Sequence, residues 1–298
     1  MSRELAVRLG GWVEELLLAL RHRGYAERTL RTYGSDLRDW LGWVADREDL
    51  QNIADLTRPV LSAYQQHLFA RAPRRSSRAR RLSASTQQHH LAALRALFRF
   101  LVREGVALVN PALELDMPRT PRRLPRIVLT EKEVLRMLMA VDLSTALGWR
   151  NRAGLELLYG TGIRRSEFLG ARLTDLELQG GWLRVLGKGD RERVVPLGRE
   201  ARRALVVYLE KARPELAPTG VDELFVSRRG GPLGGREFDG VLTRCARQAG
   251  LKKPVSFHTL RHTCATHLLR GRADIRYIQT LLGGTPASTP RRSIPGSR

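Results

Sequence analysis

A proline- and arginine-rich segment at residues 109–127 places the strongest constraint on how this chain can fold. Its prolines (Pro111, Pro118, Pro121 and Pro125) and its arginines (Arg119, Arg122, Arg123 and Arg126) interrupt a long helical pattern. A proline inside a helix removes one backbone hydrogen bond and clashes with the preceding turn, so no regular helix can run through this segment. We therefore predict a basic, extended linker at residues 109–127. It separates a domain at residues 1–108 from a domain at residues 128–283, each long enough to bury its own core.

The domain before the linker, residues 1–108, is predicted to be helical throughout. Apolar residues recur at steps of three and four in Leu30, Tyr33, Leu37, Trp40 and Val44. This periodicity marks one buried helical face, so we expect Tyr33 and Trp40 to pack in a core rather than to stack on bases. Thr29 is predicted as the N-cap of that helix. A second helix is predicted over residues 86–104, burying Leu91, Leu94, Phe98 and Leu101.

Beyond the linker, the pattern mixes helices with a small β-hairpin. The stretch Thr130-Glu-Lys-Glu133 has the spacing of a capping box and predicts a helix start. Residues 182–186 and 193–197 are predicted as strands, and the turn Gly187-Lys-Gly-Asp190 between them is rich in residues that tolerate positive φ. Helices are predicted near residues 199–211, 236–249, 259–270 and 274–282. The predicted fold class is therefore mainly α with a small β-sheet or hairpin in the C-terminal domain.

The charge of the chain indicates the kind of partner it binds. Its 52 lysines and arginines exceed its 30 aspartates and glutamates, which gives a net charge of +22. Such an excess favours an extended polyanion, and nucleic acid comes before an anionic membrane because no apolar run approaches the ~20 residues of a spanning helix. The start of the chain has no signal-peptide pattern, and Cys245 and Cys264 form no paired framework. We therefore expect a cytoplasmic, reduced protein with no membrane partner.

Two groups of arginines in the first domain are candidates for contact with DNA phosphates. Residues 71–81 contain six arginines. A solvated loop would explain their polarity but not why every charge has the same sign. A second group recurs at four-residue steps at Arg95, Arg99 and Arg103. The residues that we predict to bind double-stranded DNA are Arg74, Arg75, Arg78, Arg80, Arg81, Arg95 and Arg99.

Three separated cationic sites in the second domain could bind a phosphate. Arg164 follows the glycine turn Gly160-Thr-Gly162 at a predicted helix start, where backbone N–H groups favour an anion. Lys188 lies at the tip of the predicted hairpin. His258 and Arg261 are three residues apart, so they project from one side of a helix. A guanidinium can make two parallel hydrogen bonds to a phosphate, and an imidazole beside it can donate or move a proton.

Each of these sites also has an interpretation without catalysis. Arg164 could solvate a helix end, Lys188 could be an ordinary turn residue, and the histidines could be simple helix polarity. The histidines at positions 258, 262 and 267 could instead bind a metal, but no glutamate follows the first of them as the paired-histidine zinc motif requires. A metal-dependent nuclease would need clustered carboxylates. The acidic residues Glu131, Glu133, Glu167 and Asp175 are scattered, so we expect helix-cap or surface roles for them, and no metal or other cofactor.

Taken together, the motifs of the second domain resemble those of the tyrosine recombinases, the phage integrase family, and in particular its Xer-like branch. The matching phrases are Tyr159-Gly-Thr-Gly-Ile-Arg-Arg-Ser-Glu167, Gly187-Lys-Gly189 followed by Arg193-Val-Val-Pro196, His258-Thr-Leu-Arg-His262 and Leu281-Leu-Gly283. The resemblance covers roughly residues 10–283 in order and spacing. It implies a helical, SAM-like core-binding domain and an α+β integrase catalytic domain that form a two-domain clamp around duplex DNA.

The resemblance also implies a mechanism and its residues. Arg164, Arg261 and His258 would clamp the scissile phosphate, and Lys188 would protonate the departing 5′ oxygen. A tyrosine would attack the phosphorus to give a 3′-phosphotyrosine, so that neither a metal nor a nucleotide cofactor is needed. The family acts as a tetramer on synapsed DNA, in some cases with a second recombinase, and we expect a monomer without DNA. Chromosome-dimer resolution, phage integration and mobile-element excision share these motifs.

The chain departs from the family after Gly283. The family continues with a histidine and, nine residues later, the nucleophilic tyrosine, whereas this chain has Gly284 and Ser293 in a tail with three prolines. Codons compatible with residues 284–298, read from the third base of codon 284, encode His-Ala-Ser-Leu-Asp-Thr-Thr-Gln-Ile-Tyr-Thr-Arg-Val-Ala. That reading restores a histidine at position 284 and a tyrosine at position 293. We therefore interpret residues 284–298 as an aberrant, frameshifted tail.

Two functions follow from these observations. The first is a site-specific DNA recombinase that acts by cofactor-free transesterification and whose nucleophile is absent from the position where the family has it. The alternative is a DNA-binding protein of recombinase ancestry that binds its sites without cutting them. Covalent attachment to DNA distinguishes the two, because only the recombinase forms a phosphotyrosine bond.

Overall fold

The computed structural model describes residues 2–71, 81–119, 127–187 and 192–283. Its contacts divide the chain into two units, Met1–Arg123 and Leu124–Arg298. The described residues of both units are mostly helical, and the second unit adds one three-stranded antiparallel sheet. These elements confirm the predicted fold class. No helix among the described residues combines the length and the apolarity that crossing a membrane requires.

In its described residues, the first unit consists of four helices around one apolar core. They are α1 (Ser2–His22), α2 (Glu27–Ala45), α3 (Arg58–Ala70) and α4 (Ala84–Arg103), with a short 3₁₀ turn at Ile53–Asp55. The predicted apolar face of α2 packs inward, and Trp40 lies edge-on to Phe98 of α4 with 5.9 Å between ring centroids. Tyr33 is half-buried against the same core. Tyr33 and Trp40 therefore serve packing, as predicted.

The predicted N-cap of α2, Thr29, was wrong. The helix begins at Glu27 with Ala26 as its N-cap, and the Thr29 amide donates to the Ala26 carbonyl at 2.7 Å. Ala26 has no side chain that could cap the helix. The negative charge of Glu27 in the first turn suits the helix N-terminus instead, and its carboxylate accepts a hydrogen bond from Arg21 Nε at 2.9 Å.

The chain continues to pack on the first unit after α4. Ala112 and Leu115 are buried in its core. Arg95 of α4 holds this stretch, because its Nε donates to the Ala112 carbonyl at 2.9 Å and its Nη2 donates to the carbonyls of Leu113 and Leu115 at 3.1 and 2.6 Å. This part of the predicted linker is therefore fixed on the first unit. Residues 120–126 lie outside the described residues.

The second unit contains a small antiparallel sheet surrounded by helices. Its elements are α5 (Glu131–Met139), α6 (Ala146–Thr161), α7 (Arg165–Gly170), β1 (Leu176–Glu177), β2 (Trp182–Leu186), β3 (Glu192–Pro196), α8 (Arg199–Val207), α9 (Arg213–Leu216), α10 (Gly235–Gln248), α11 (Phe257–Arg270) and α12 (Ile275–Leu281). The strands are ordered β1-β2-β3. Leu183 of β2 pairs with Val195 of β3, and both side chains are fully buried. The predicted hairpin is confirmed, with its second strand beginning and ending one residue earlier than predicted.

An aromatic cluster fixes the relative positions of three helices in the second unit. Phe168 of α7 stacks on Phe225 at 4.6 Å between ring centroids and lies 4.8 Å from Phe238 of α10. It also lies 5.5 Å from Phe257, the first residue of α11. Gly154 of α6 permits this packing, because a Cβ there would lie 2.6 Å from Phe238 Cζ. The cluster brings the first turn of α7 and the first turns of α11 into one region of the fold.

The start of α5 provides a test of a local sequence signal. Thr130 Oγ1 accepts from the Glu133 amide at 3.2 Å, and Glu133 Oε2 accepts from the Thr130 amide at 2.7 Å, which confirms the predicted capping box. We expect Thr130→Ala to lower the free energy of unfolding by about 1 kcal/mol, because an alanine cannot cap the helix. Urea unfolding checks this, with Thr130→Ser as the control that keeps the hydroxyl. A serine variant as unstable as the alanine variant would contradict the prediction.

Candidate phosphate-binding site

The turn between α6 and α7 positions Arg164. Helix α6 ends at Thr161, and Gly162 then adopts a left-handed conformation with φ of 61°. A Cβ on Gly162 would lie 2.8 Å from Leu282 Cδ2 and 3.2 Å from Cys264 Sγ, so the close approach and the positive φ both favour glycine. This turn makes Arg164 the N-cap residue of α7. The sequence prediction that Arg164 follows a glycine turn at a helix start is confirmed.

Arg164 is held by one carboxylate and one carbonyl. Its amide donates to Glu167 Oε2 at 2.7 Å, and its Nη1 donates to Glu167 Oε1 at 2.8 Å. Its Nη2 donates to the carbonyl of Gly283 at 2.8 Å. The Arg164 side chain nevertheless remains 35% exposed. A guanidinium has five N–H donors, so donors remain for an incoming phosphate.

Arg261 projects from the second turn of α11 into the same region. Its Nη1 donates to the carbonyl of Gly162 at 2.7 Å, and its Nη2 donates to the carbonyl of Leu282. Burial lowers the pKa of Arg261 to about 10, and the positive charge of Arg164 contributes in the same direction. Arg261 is therefore still protonated at neutral pH. The positive charges of the two arginines repel each other, and both side chains donate to carbonyls at the end of α12.

A fully buried glutamate is the counter-ion of this arginine pair. Glu167 accepts from Arg193 of β3 at both oxygens, with Nη1 to Oε1 at 2.7 Å and Nη2 to Oε2 at 2.9 Å. Burial alone would raise the pKa of Glu167, but the hydrogen bonds from Arg193 and Arg164 outweigh it and lower the pKa to about 2. Glu167 is therefore ionised at any physiological pH. Arg164 and Arg193 both hydrogen-bond to this single carboxylate, and Arg261 interacts with it only through its charge, so the three guanidinium groups leave an excess of positive charge for a phosphate.

The end of α12 supplies three consecutive carbonyls to these arginines. The carbonyls of Leu281, Leu282 and Gly283 accept from Arg193, Arg261 and Arg164, respectively. Carbonyls at a helix C-terminus carry partial negative charge, so they are suitable acceptors for cations. The sequence analysis noted Leu281-Leu-Gly283 only as a matching phrase. Its backbone contacts with the arginines could not be read from the side-chain pattern.

His258 lies one turn before Arg261 on α11 and is exposed. Its Nε2 lies 2.8 Å from Nε2 of His262, with the rings edge-to-face at 4.2 Å between centroids. One of the two nitrogens must donate the proton of this contact, so the tautomers of the two rings are linked. His262 was not predicted as a site residue. The four-residue spacing on a helix was the signal that could have identified it.

The described residues contain no group of three histidine, cysteine, aspartate or glutamate side chains that could hold a metal ion. His267 contacts Tyr159, whose hydroxyl lies 2.9 Å from His267 Nδ1. Of the four acidic residues expected to have helix-cap or surface roles, Glu131 is exposed and the other three make cap hydrogen bonds. Glu133 and Glu167 cap α5 and α7, and Asp175 Oδ2 accepts from the Arg172 amide at 3.0 Å.

Three of the predicted DNA-binding arginines, Arg81, Arg95 and Arg99, are among the described residues, and they differ in exposure. Arg81 and Arg99 are exposed, and the Arg81 guanidinium lies 4.7 Å from the centroid of the Phe69 ring. Arg95 is half-buried and donates to three backbone carbonyls of residues 112–115, which gives it a structural role, and its predicted contact with DNA stays a prediction. Four other predicted DNA-binding residues lie outside the described residues: Arg74, Arg75, Arg78 and Arg80. The predicted catalytic residue Lys188 and the tail at 284–298 lie outside them as well.

Both units match known protein-family models. The phage integrase family matches residues 128–291, and the phage integrase N-terminal SAM-like domain matches residues 12–105. Tyrosine recombinase XerC 2 of Ralstonia nicotianae is 40% identical over 280 residues, which cover 93% of this chain and 79% of the relative. Tyrosine recombinase XerD of Halalkalibacterium halodurans is 36% identical over 268 residues, covering 90% and 86%.

Solved structures agree at the level of the fold. The Tn1549 transposon integrase in complex with transposon right end DNA has a TM-score of 0.72 at 18% identity, covering 93% of this chain and 91% of that one. The XerH site-specific recombinase bound to difH substrate, in a pre-cleavage complex, has a TM-score of 0.71 at 21% identity, covering 92% and 78%. With two family models in the expected order and relatives this similar over most of the chain, the protein belongs to the phage integrase family of tyrosine recombinases, in its Xer-like branch.

Proposed function

We propose that residues 1–283 are the scaffold of a site-specific DNA recombinase that breaks and rejoins phosphodiester bonds without a cofactor. The observation that carries this proposal is the pair Arg164 and Arg261, which both donate to carbonyls at the end of α12 and still have N–H donors left for a phosphate. Such preorganised donors suit the negative charge that develops on a phosphate in the transition state. The sequence identity with relatives named tyrosine recombinases supports the same function.

The chemistry divides among the residues as follows. A tyrosine would release its phenolic proton to solvent as its oxygen forms a bond to phosphorus, while the bond from phosphorus to the 5′ oxygen breaks. Arg164 and Arg261 would stabilise the charge on the non-bridging oxygens, and His258 would donate a further hydrogen bond. Lys188 would give its proton to the departing 5′ oxygen. The bond energy is kept in the phosphotyrosine, so the free 5′ hydroxyl of another strand can reverse the step.

The tail at residues 284–298 determines whether the present chain can cleave DNA or only bind it. Gly284 and Ser293 occupy the positions where the family has a histidine and the nucleophilic tyrosine. We infer that residues 284–298 are read out of frame and that the present chain binds its sites without cleaving them. The codons of the gene test the inference directly. Codons for residues 284–298 that cannot encode the shifted sequence would contradict it.

DNA binding in the first unit is part of the proposal. Arg81 and Arg99 are the exposed candidates among the described residues, and Arg74, Arg75, Arg78 and Arg80 add further positive charge in the sequence just before Arg81. Among structures of the same fold, lambda integrase has been solved as a tetramer bound to a Holliday junction. We propose that this chain likewise assembles as a tetramer on duplex DNA, alone or with a second recombinase.

A covalent-capture experiment tests the proposed function. Two proteins are compared on nicked duplexes that the chain itself has enriched from a random DNA pool. One is the present chain, and the other carries residues 284–297 in the restored frame, beginning Gly284→His and including Ser293→Tyr. Denaturing gels should show a covalent protein–DNA band for the restored chain alone, because only this chain has the nucleophile.

The matched control is the restored chain with phenylalanine in place of the tyrosine at position 293. It should bind the same duplexes and form no covalent band. A band from the present chain would show that another residue attacks the phosphate, and peptide mapping of the adduct would identify it. If the restored chain binds DNA but forms no band, the scaffold at residues 1–283 is not competent.

A further inference from the structure

We propose that Arg193 is a positioning residue, which holds both phosphate-binding arginines in place without contacting the phosphate itself. This inference rests on the proposed function of Arg164 and Arg261. Arg193 is the second residue of β3 and follows Lys188 by five positions in the sequence. Nothing in its charge alone separates it from the other arginines of the chain.

The Arg193 guanidinium connects its own strand, β3, with helix α7 and with the end of α12. Its Nη1 and Nη2 donate to the two oxygens of Glu167 on α7 at 2.7 and 2.9 Å. Its Nε donates to the carbonyl of Leu281 at the end of α12 at 2.9 Å. All three nitrogens are therefore engaged, and the side chain is only 13% exposed. A guanidinium committed in this way supports other groups rather than a ligand.

The contact with Glu167 determines the position of Arg164. Glu167 Oε1 accepts from both Arg193 and Arg164, and its side chain is fully buried. Without Arg193, the burial of Glu167 would be poorly compensated, and a buried carboxylate without a cationic partner tends to take up a proton. A protonated Glu167 would hold Arg164 less firmly. The orientation of Arg164 thus depends on Arg193 through the shared carboxylate.

The contact with Leu281 determines the position of the α12 end. The next two carbonyls, those of Leu282 and Gly283, accept from Arg261 and Arg164. Gly283 has a φ of 61°, and a Cβ on it would lie 2.9 Å from Arg164 Nη1 and 3.0 Å from Arg193 Nη1. The backbone and the guanidinium groups are thus packed closely. A shift of the Leu281 carbonyl would move both acceptors of the arginine pair.

Arg193 also connects the arginine pair to the hairpin. Its partner across the sheet is Val185, and the neighbouring residues Leu186 and Glu192 form the last pair between β2 and β3. The ion pair with Glu167 thereby ties β3 to α7. A lysine could not replace this arginine, because one ammonium group cannot make the bidentate contact with a carboxylate and also reach the Leu281 carbonyl.

The experiment measures how much one phosphate contributes to DNA binding by the present chain. Duplexes enriched by the chain are scanned with single neutral methylphosphonates, and the Kd of each is divided by the Kd of the unmodified duplex. The relevant phosphate is the one whose neutralisation weakens binding of the unsubstituted chain but not of Arg164→Ala. We expect a ratio of about tenfold there, as for loss of a charge-assisted hydrogen bond.

Arg193→Lys should reduce this ratio to about twofold or less, because the retained charge does not restore the lost geometry. Arg184→Lys is the matched control. Arg184 lies on the neighbouring strand and pairs with Asp175 at 2.9 Å, away from Glu167 and α12. Its substitution should leave the ratio unchanged, even if overall affinity changes. A ratio in Arg193→Lys equal to that of the unsubstituted chain overturns the proposal.

Arg193→Ala gives a second measurement that does not depend on how well the lysine variant folds. Millimolar guanidinium chloride should occupy the vacated position and restore the ratio, whereas the same concentration of sodium chloride should not. A ratio that guanidinium does not restore contradicts the positioning role. If no phosphate depends on Arg164 in the unsubstituted chain, the proposed function itself fails, and the role of Arg193 fails with it.

Discussion

Replacing Glu167 with alanine should lower the free energy of unfolding by about 3–5 kcal/mol, as expected when one partner of a buried ion pair is removed. The Glu167 side chain is fully buried and accepts four hydrogen bonds, two from Arg193, one from Arg164 Nη1 and one from the Arg164 amide. Its loss leaves Arg193 with little access to water and without its carboxylate partner. The N-terminus of α7 also loses its capping interaction.

Glu192→Ala is the matched control, because Glu192 lies next to Arg193 on β3 but is 59% exposed. Exposed charges contribute little to stability, so this variant should unfold within about 0.5 kcal/mol of the unsubstituted chain. Urea unfolding at pH 7 provides both measurements. If the two variants were equally stable, Glu167 could not be the counter-ion of the arginine cluster.

The same carboxylate gives a stability change with a defined sign in acid. The pKa of Glu167 is about 2 in the folded chain, against an ordinary value of 4.5. Because the folded pKa is lowered, the stabilisation is complete above pH 4.5 and is lost as the pH falls towards 2. The difference corresponds to about 3 kcal/mol. Comparing urea unfolding of Glu167→Gln with the unsubstituted chain should therefore show their stabilities converging between pH 5 and pH 2.

The elements that could be predicted from the sequence depend on contacts within a few residues. The capping box at Thr130 and Glu133 is local, and so is the pair of strand-like stretches around a glycine-rich turn that predicts β2 and β3. The apolar face of α2 follows from its periodicity. The missed strand β1 is two residues long and forms only because Leu176 and Glu177 pair with β2. The position of Thr29 was misjudged because a hydroxyl before a helix and one in its first turn give similar sequence signals.

The candidate site was predictable only in part, for a related reason. Arg164, His258 and Arg261 were identified because each belongs to a short, recognisable phrase. Arg193 was part of such a phrase, but its partners lie 26 residues away at Glu167 and 88 residues away at Leu281. Contacts over such separations arise from tertiary packing. Backbone acceptors are invisible in a sequence, because every residue carries the same carbonyl.

The largest expected effect on chemistry is that of Arg261→Lys in the chain with the restored frame. We expect the rate of covalent adduct formation to fall by a factor on the order of 10²–10³, as for the loss of one preorganised donor at a comparable site. An ammonium group cannot donate to the carbonyls of Gly162 and Leu282 and also present two parallel donors to a phosphate. The variant keeps its charge but loses the geometry that the charge requires.

Single-turnover capture on nicked duplexes measures the rate, and Arg276→Lys is the control. Arg276 is an exposed arginine on α12, so its substitution should leave the adduct rate unchanged. The affinity of the Arg261→Lys chain for DNA should change much less than its rate. The reason is that many other cations bind the duplex, whereas Arg261 acts at the one phosphate whose charge changes in the transition state. Equal losses in affinity and rate would instead assign Arg261 to uniform binding of DNA.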